Sequence, residues 1–291
     1  MDDPVDARVR VDDGVELRVR EHPPATSSDH ARTFLLVHGL SSNALLWDGV
    51  GAALAAAGHR SVAVDLRSHG RSEGSDELGF ARLVDDLVQV SEAMGLKRPV
   101  AVGQSWGGNV VLELGAVRSD VVSGVVGVDG GLIALADRFP DVDACWEALA
   151  PPRFDHLRWA DLEGHVATRA VGWPEGSARA QLGNMTADAD GRARAILTRE
   201  RHRTIVEHLY HHRPLDRLGV LEVPMLLLAV TGGTRTVLEE SRLEAARTAA
   251  SSPLDVVRLP GRDHDVHLQE PATVAALVLD WIAGRPVPEV A

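Results

Sequence analysis

Short runs dominated by apolar residues punctuate this chain at 33–37, 61–64, 99–102, 124–128, 225–230 and 254–259. A strand with one wet face alternates apolar and polar residues, whereas these runs read as strands buried on both faces. Such strands belong to parallel sheets covered by helices. Helical patterns fill the intervals at 44–57, 78–94, 106–118, 236–250 and 271–283. Alternating strand and helix predicts a doubly wound α/β sheet. Ahead of these runs, residues 5–20 do alternate, with Val9, Val11, Val15, Leu17 and Val19 set against Arg and Glu around Asp13-Gly14. That pattern predicts an opening β-hairpin. The expected fold class is α/β: a mostly parallel eight-stranded sheet with helices on both faces.

One interval is too long for a simple crossover. Residues 132–217 separate two core strands and hold Trp146, Trp159, Trp173, the single Tyr and six of the 13 His. A structureless loop of that length is improbable in a compact domain. It is read as a helical lid over the C-terminal edge of the sheet, where open α/β folds bind ligands. The expected division is a core of 1–131 and 218–291 with the lid inserted at 132–217. The 23–30 segment reads as a polar loop, and the tail beyond Gly284, with Pro286 and Pro288, reads as closing no element. At 291 residues the core is near the upper size for one hydrophobic interior.

Composition narrows the function classes. The net charge of −12 argues against nucleic acid, which needs a basic footprint, and against an anionic membrane surface. No run approaches the ~18–20 apolar residues of a transmembrane helix. The acidic start Met1-Asp2-Asp3-Pro4 lacks the apolar core of a signal peptide. A single cysteine, Cys145, allows no disulfide within the chain and reads as a small core or lid residue rather than a nucleophile. The expected location is the cytoplasm and the expected partner a small-molecule substrate. Nothing in the pattern demands a homodimer through the lid or final helix. No metal spacing, G-x-G-x-x-G or phosphate loop is present, so no cofactor is expected.

Gly103-Gln104-Ser105-Trp106-Gly107 follows the run at 99–102 directly and opens a helix. G-x-S-x-G in that setting is a nucleophile elbow. A side chain two residues either side of the serine would collide with its neighbours, hence the glycines. The turn lifts the Ser105 hydroxyl to a helix N-terminus, which favours developing negative charge. His38-Gly39-Leu40 follows the first buried run. In this setting the amides of Leu40 and Trp106 are the expected oxyanion hole, each such donor being worth about 10²–10³ in rate. His38, Gly39 and Trp47 form the expected substrate side, with His38 read as a hydrogen bonder holding the loop and Trp47 as packing beneath.

His264 stands after the last strand and before the last helix and is the expected general base. His267 is read as packing or capping. A base of this kind needs a carboxylate to fix its tautomer. After the run at 225–230 the chain reads Thr231-Gly232-Gly233-Thr234-Arg235-Thr236, with no acid. The other strand end on that edge carries Asp129 in Val128-Asp129-Gly130-Gly131, and Asp129 is the expected acid.

With these residues assembled, the chain resembles the α/β-hydrolase superfamily over nearly its whole length. The resemblance rests on HGL at 38–40, on Asp65, Arg67, His69, Gly70, Arg71 and Ser72 in a D-x-R-x-H-G-R-S stretch, on GQSWGG at 103–108, and on HDVHLQEP at 264–271. An acid after the sixth rather than the seventh strand resembles haloalkane dehalogenases, certain lactone hydrolases and cofactor-free ring-cleaving dioxygenases. Dehalogenases and epoxide hydrolases carry Asp where Ser105 stands, which disfavours both chemistries. The resemblance implies a serine hydrolase of esters, lactones or thioesters. The alternatives are a cofactor-free oxygenase or lyase using the same His–Asp base, an acyl transferase or cyclase, and a non-catalytic ligand receptor. The resemblance also implies that the Asp65–Ser72 loop is mostly structural.

Overall fold

The structure is a computed structural model that describes residues 3–26, 31–231 and 238–286. The whole Gly232–Thr236 stretch and part of the 23–30 loop therefore lie outside the described residues, as do the start of the expected 236–250 helix and the end of the tail. The hairpin forms as its alternation predicts, with β1 (Val5–Arg10) antiparallel to β2 (Glu16–His22) and Val9 opposite Leu17. There follow β3 (Thr33–Val37), α1 (Asp48–Ala56), β4 (Arg60–Val64), α2 (Phe80–Ala93), β5 (Val100–Gln104), α3 (Trp106–Val117) and β6 (Gly124–Val128).

Beyond β6 the chain builds α4 (Val142–Leu149), α5 (Trp159–Arg169) and α6 (Ser177–Leu182). A two-stranded antiparallel hairpin comes next, β7 (Met185–Ala187) with β8 (Ala193–Ala195), then α7 (Arg199–His211) and α8 (Pro214–Leu218). The core resumes with β9 (Met225–Thr231), α9 (Glu240–Ala249), β10 (Leu254–Pro260), α10 (Val266–Gln269) and α11 (Pro271–Ile282).

The strand order is β1-β2-β4-β3-β5-β6-β9-β10, parallel from β4 onwards. Period-two geometry splits each buried run between two cores. Leu35 and Val37 of β3 pack with α2 and α3, while Phe34 and Leu36 pack with α1 and α11. Each fully buried Leu or Val stabilises the fold by about 1.5–3 kcal/mol relative to exposure.

The inserted segment is not purely helical, which corrects the expectation. Its hairpin turns at Asp188–Gly191, where the Asp188 carboxylate accepts the Asp190 and Arg192 N–H groups and Gly191 takes φ 73°. Strands of three residues are too short to show a period. The last helix of the segment, α8, packs on α3 and α9 of the core. Cys145 is fully buried in the core, and burial pushes its thiol up. Among the described residues no helix is long and apolar enough to cross a membrane.

The Asp65–Ser72 stretch ties the layers together. The buried Asp65 carboxylate accepts N–H groups from Ala44 at 2.6 Å and Arg71 at 2.8 Å, and the Arg18 guanidinium at 3.3 Å. Arg67, fully buried, makes a two-pronged contact with Asp86 at 2.6 Å on both prongs and reaches Asp13 at 2.9 Å. It thereby joins the β1–β2 turn to α2. Removing one partner of a buried pair strands the other charge, at a cost of about 3–5 kcal/mol. Arg67→Met should therefore lower unfolding free energy by about 3–5 kcal/mol in urea titrations. A loss below about 1 kcal/mol would show that Asp86 and Asp13 do not depend on it.

Candidate active site

Ser105 sits between β5 and α3 with φ 54° and ψ −124°, a sparsely populated conformation that costs on the order of 1–3 kcal/mol. The surroundings enforce it. A Cβ at Gly103 would lie 2.2 Å from the Gly107 carbonyl oxygen, and one at Gly107 would lie 2.4 Å from that of His38. The Ser105 N–H donates to the Val128 carbonyl at 3.0 Å, and a Cβ at Gly130 would come within 2.1 Å of Ser105 O. The ends of β5 and β6 are thus in direct backbone contact.

That contact brings Asp129 beside Ser105. Asp129 takes φ 44°, a left-handed value that Asp tolerates better than most residues. Its Oδ1 accepts the Val230 N–H at 3.3 Å, and its Oδ2 lies 2.6 Å from His264 Nδ1. Asp129 is fully buried, and His264 is 28% exposed at its side chain. The pair leaves His264 Nε2 as the ring nitrogen open to a second partner. His264 reaches Asp129 across β9 from the loop after β10. A second tether fixes that loop, since Gln104 Nε2 donates to the His264 carbonyl at 3.1 Å.

Ser105 and His264 line one cavity of about 500 Å³. Among the described residues Ser105 Oγ makes no hydrogen bond to His264. Gly39, Leu40 and Gln104 share the floor, and the insertion supplies much of the wall, including Phe154, Leu162, Val166, Ile196 and Leu197. Neither the Leu40 nor the Trp106 N–H finds an acceptor among the described residues. Trp106 opens α3, where helix N–H groups lack intrahelical partners.

Of the three residues grouped on the substrate side only Gly39 lines the cavity; His38 and Trp47 are fully buried beneath it, where they hold the loop and pack. His38 Nδ1–H donates to the Gly39 carbonyl at 2.7 Å, and its Nε2 accepts the Leu66 N–H at 3.0 Å. Both bonds fit the neutral ring. Burial lowers its pKa to about 4. His69 donates from Nδ1 to the Arg67 carbonyl and accepts the Ser41 N–H at 3.4 Å on Nε2. Burial, with His38 nearby, lowers it to about 3. Trp47 packs against His267, ring centroids 4.7 Å apart. His267 is fully buried, neither ring nitrogen has a hydrogen-bond partner among the described residues, and burial lowers its pKa to about 3.

Sequence reading missed Gln104 and the cavity residues of the insertion. Gln104 fills a variable position of the elbow, where residue type alone signals nothing. The insertion's wall residues have no spacing that distinguishes cavity from core.

The chain belongs to the alpha/beta hydrolase family, whose model matches residues 34–277. It is 25% identical to epoxide hydrolase A of Mycobacterium tuberculosis over 93% of this chain and 95% of that protein. It is 42% identical to esterase PIR7B of Oryza sativa subsp. japonica over 28% of this chain and 32% of that protein. The fold is similar to the crystal structure of E-2-(acetamidomethylene)succinate hydrolase, with a TM-score of 0.79 and 20% identity, covering 97% of this chain and all (100%) of that one. It is also similar to the enol-lactonase from Burkholderia xenovorans, with a TM-score of 0.68 and 18% identity over 95% and 100% of the two chains. The protein is an enzyme of the α/β-hydrolase class.

The buried neutral histidines make stability depend on pH. His38, His69 and His267 titrate near 4, 3 and 3 when folded, against an ordinary 6.5. Between pH 6.5 and about 4 the unfolded chain binds protons that the folded chain refuses, so stability falls on acidification. It is flat in these groups above about 6.5. Each histidine contributes a slope of about 1.4 kcal/mol per pH unit. His267→Leu should flatten the pH dependence of urea unfolding between 5 and 6 by about that amount. An unchanged slope would place the His267 pKa near its ordinary value.

Proposed function

We propose that the enzyme is a serine hydrolase of an ester, lactone or thioester bond in a small to mid-sized organic substrate. The observation that carries this reading is the 2.6 Å contact between the buried Asp129 carboxylate and Nδ1 of His264, which lines the same cavity as Ser105. A carboxylate there holds the imidazole in the tautomer whose Nε2 accepts a proton and stabilises the imidazolium that results.

In the first half-reaction Ser105 Oγ attacks the carbonyl carbon while its proton passes to His264 Nε2. The carbonyl π electrons move to oxygen, and the Leu40 and Trp106 amides hold the oxyanion. Collapse expels the leaving group, which takes the proton from His264, and leaves an acyl-serine. A water then gives its proton to His264 and attacks the acyl carbon. Collapse of this second intermediate returns the proton to Ser105 and releases the acid. Residues 132–217 act as the lid, and their apolar cavity wall suits an organic acyl or leaving group. The epoxide hydrolase relative does not carry its chemistry over, because Ser105 occupies the position where that class uses Asp. The single cysteine, Cys145, is buried and free, which suits a reducing compartment such as the cytoplasm.

The missing Ser105–His264 hydrogen bond favours one rival, in which the His264–Asp129 pair is the base of a cofactor-free oxygenase or lyase and Ser105 only hydrogen-bonds. Catalytic hydrogen bonds are often long before substrate binds, so the hydrolase reading stands first. Intact mass after fluorophosphonate treatment separates the two. Wild type should gain one label and Ser105→Ala none, while an unlabelled folded wild type would sink the hydrolase reading. Against p-nitrophenyl esters, Ser105→Ala and His264→Ala should abolish turnover, and Asp129→Asn should lose up to about 10⁴-fold in kcat. Near-full activity of Asp129→Asn would remove it from the catalytic set.

A further inference from the structure

Leu40, whose amide the proposed mechanism uses, occupies the second position of a tight turn. The turn is closed by the Ser42 N–H, which donates to the Gly39 carbonyl at 3.2 Å. Ser41, at the third position, has φ 56°. Turns of this type require a positive φ there and are usually given Gly or Asn. A serine in that conformation persists only where its surroundings over-determine it.

Two histidines grip Ser41. His69 accepts its N–H at 3.4 Å, and His202 Nδ1 lies 3.0 Å from its Oγ. His69 belongs to the loop after β4, whereas His202 comes from α7 in the insertion, 161 residues along the chain. His202 is buried, lines the catalytic cavity and has the Trp146 ring edge-on at 5.9 Å. Burial, reinforced by the Arg199 charge, lowers its pKa to about 4. No carboxylate pairs with it among the described residues, so it is unsuited to act as a second general base. A neutral ring in that place can make one directed hydrogen bond to Ser41 in either tautomer.

We propose that His202 is a positioning residue for the oxyanion loop: through the Ser41 hydroxyl it holds the turn that aims the Leu40 N–H, so transition-state stabilisation depends on how α7 is seated. This rests on the serine-hydrolase reading. A donor that matters only in the transition state affects kcat and leaves KM nearly unchanged. A residue that only walls the cavity affects KM. Glycine adopts φ near 56° without strain, so Ser41→Gly should release the turn from its need for His202.

The experiment measures p-nitrophenyl butyrate hydrolysis and the fluorophosphonate labelling rate in wild type, His202→Phe, Ser41→Ala, Ser41→Gly and Ser41→Gly/His202→Phe. His202→Phe and Ser41→Ala should each lower kcat about fivefold to tenfold, the worth of one hydrogen bond, with KM within about twofold. Ser41→Gly should retain more kcat than Ser41→Ala, and His202→Phe should cost nothing further in the glycine background. A His202→Phe loss that persists in full in that background, or that falls on KM, overturns the proposal. So does a His202→Phe protein that labels as fast as wild type. If His202→Phe does not fold, the Ser41 variants decide, and Ser41→Ala matching Ser41→Gly in kcat overturns it. A folded wild type inert to both probes removes the serine-hydrolase reading instead, and this inference with it.

Discussion

The backbone contact between the ends of β5 and β6 is the constraint on which the site depends. Ser105 donates its N–H to Val128, and Gly130 lies so close to Ser105 that no side chain fits between them. The contact requires glycine at 130, the elbow beside it requires glycines at 103 and 107, and the chain takes positive φ at Ser105 and Asp129. Both are polar residues in unfavourable backbone conformations, paid for by the packed strands beneath. The nucleophile candidate and the carboxylate beside it are thus one structural unit, and His264 is brought to that unit from two strands away.

Much of this was legible in the sequence because its causes are local. The runs at 33–37 and 124–128 are apolar without alternation since both their faces are covered, and the strands form there. The elbow was legible since its pattern spans five residues, although only Gly103 answers a demand within them and Gly107 answers the carbonyl of His38. Asp129 was reached by elimination, the stretch after β9 being without a carboxylate, and the structure sets its carboxylate 2.6 Å from His264 Nδ1. His38 and Trp47 were read correctly as holding the loop and packing beneath, and only their grouping with the substrate side departs from the structure. Their neighbours in sequence do line the cavity, but adjacency in a turn does not say which way a side chain points. The Gln104 tether and the Ser41–His202 pair were invisible because each joins residues more than 150 positions apart in the chain, 160 and 161 respectively.

Around the site the protein uses histidine mostly as an uncharged donor–acceptor. His38 and His69 each donate from one nitrogen and accept a backbone N–H on the other, an arrangement that only the neutral ring completes. Burial supplies the neutrality. A lysine or arginine could not accept, and a serine could not span both ends. His264 differs from them by its partly exposed ring and its carboxylate partner.

The candidate reacting groups and the cavity wall come from different stretches of the chain. Residues 38–41, 103–106, 129 and 264 stand on the sheet, while much of the wall comes from 151–202. Drift in the insertion can therefore reshape what the cavity admits while the machinery below is inherited intact, and a chimaera that exchanges the insertion would seem a free swap. The hydrogen bond between Ser41 and His202 makes it conditional. Whatever sequence is grafted over this sheet inherits an obligation at one atom, a polar partner for the Ser41 hydroxyl, and lineages that lose it must settle the turn in another way.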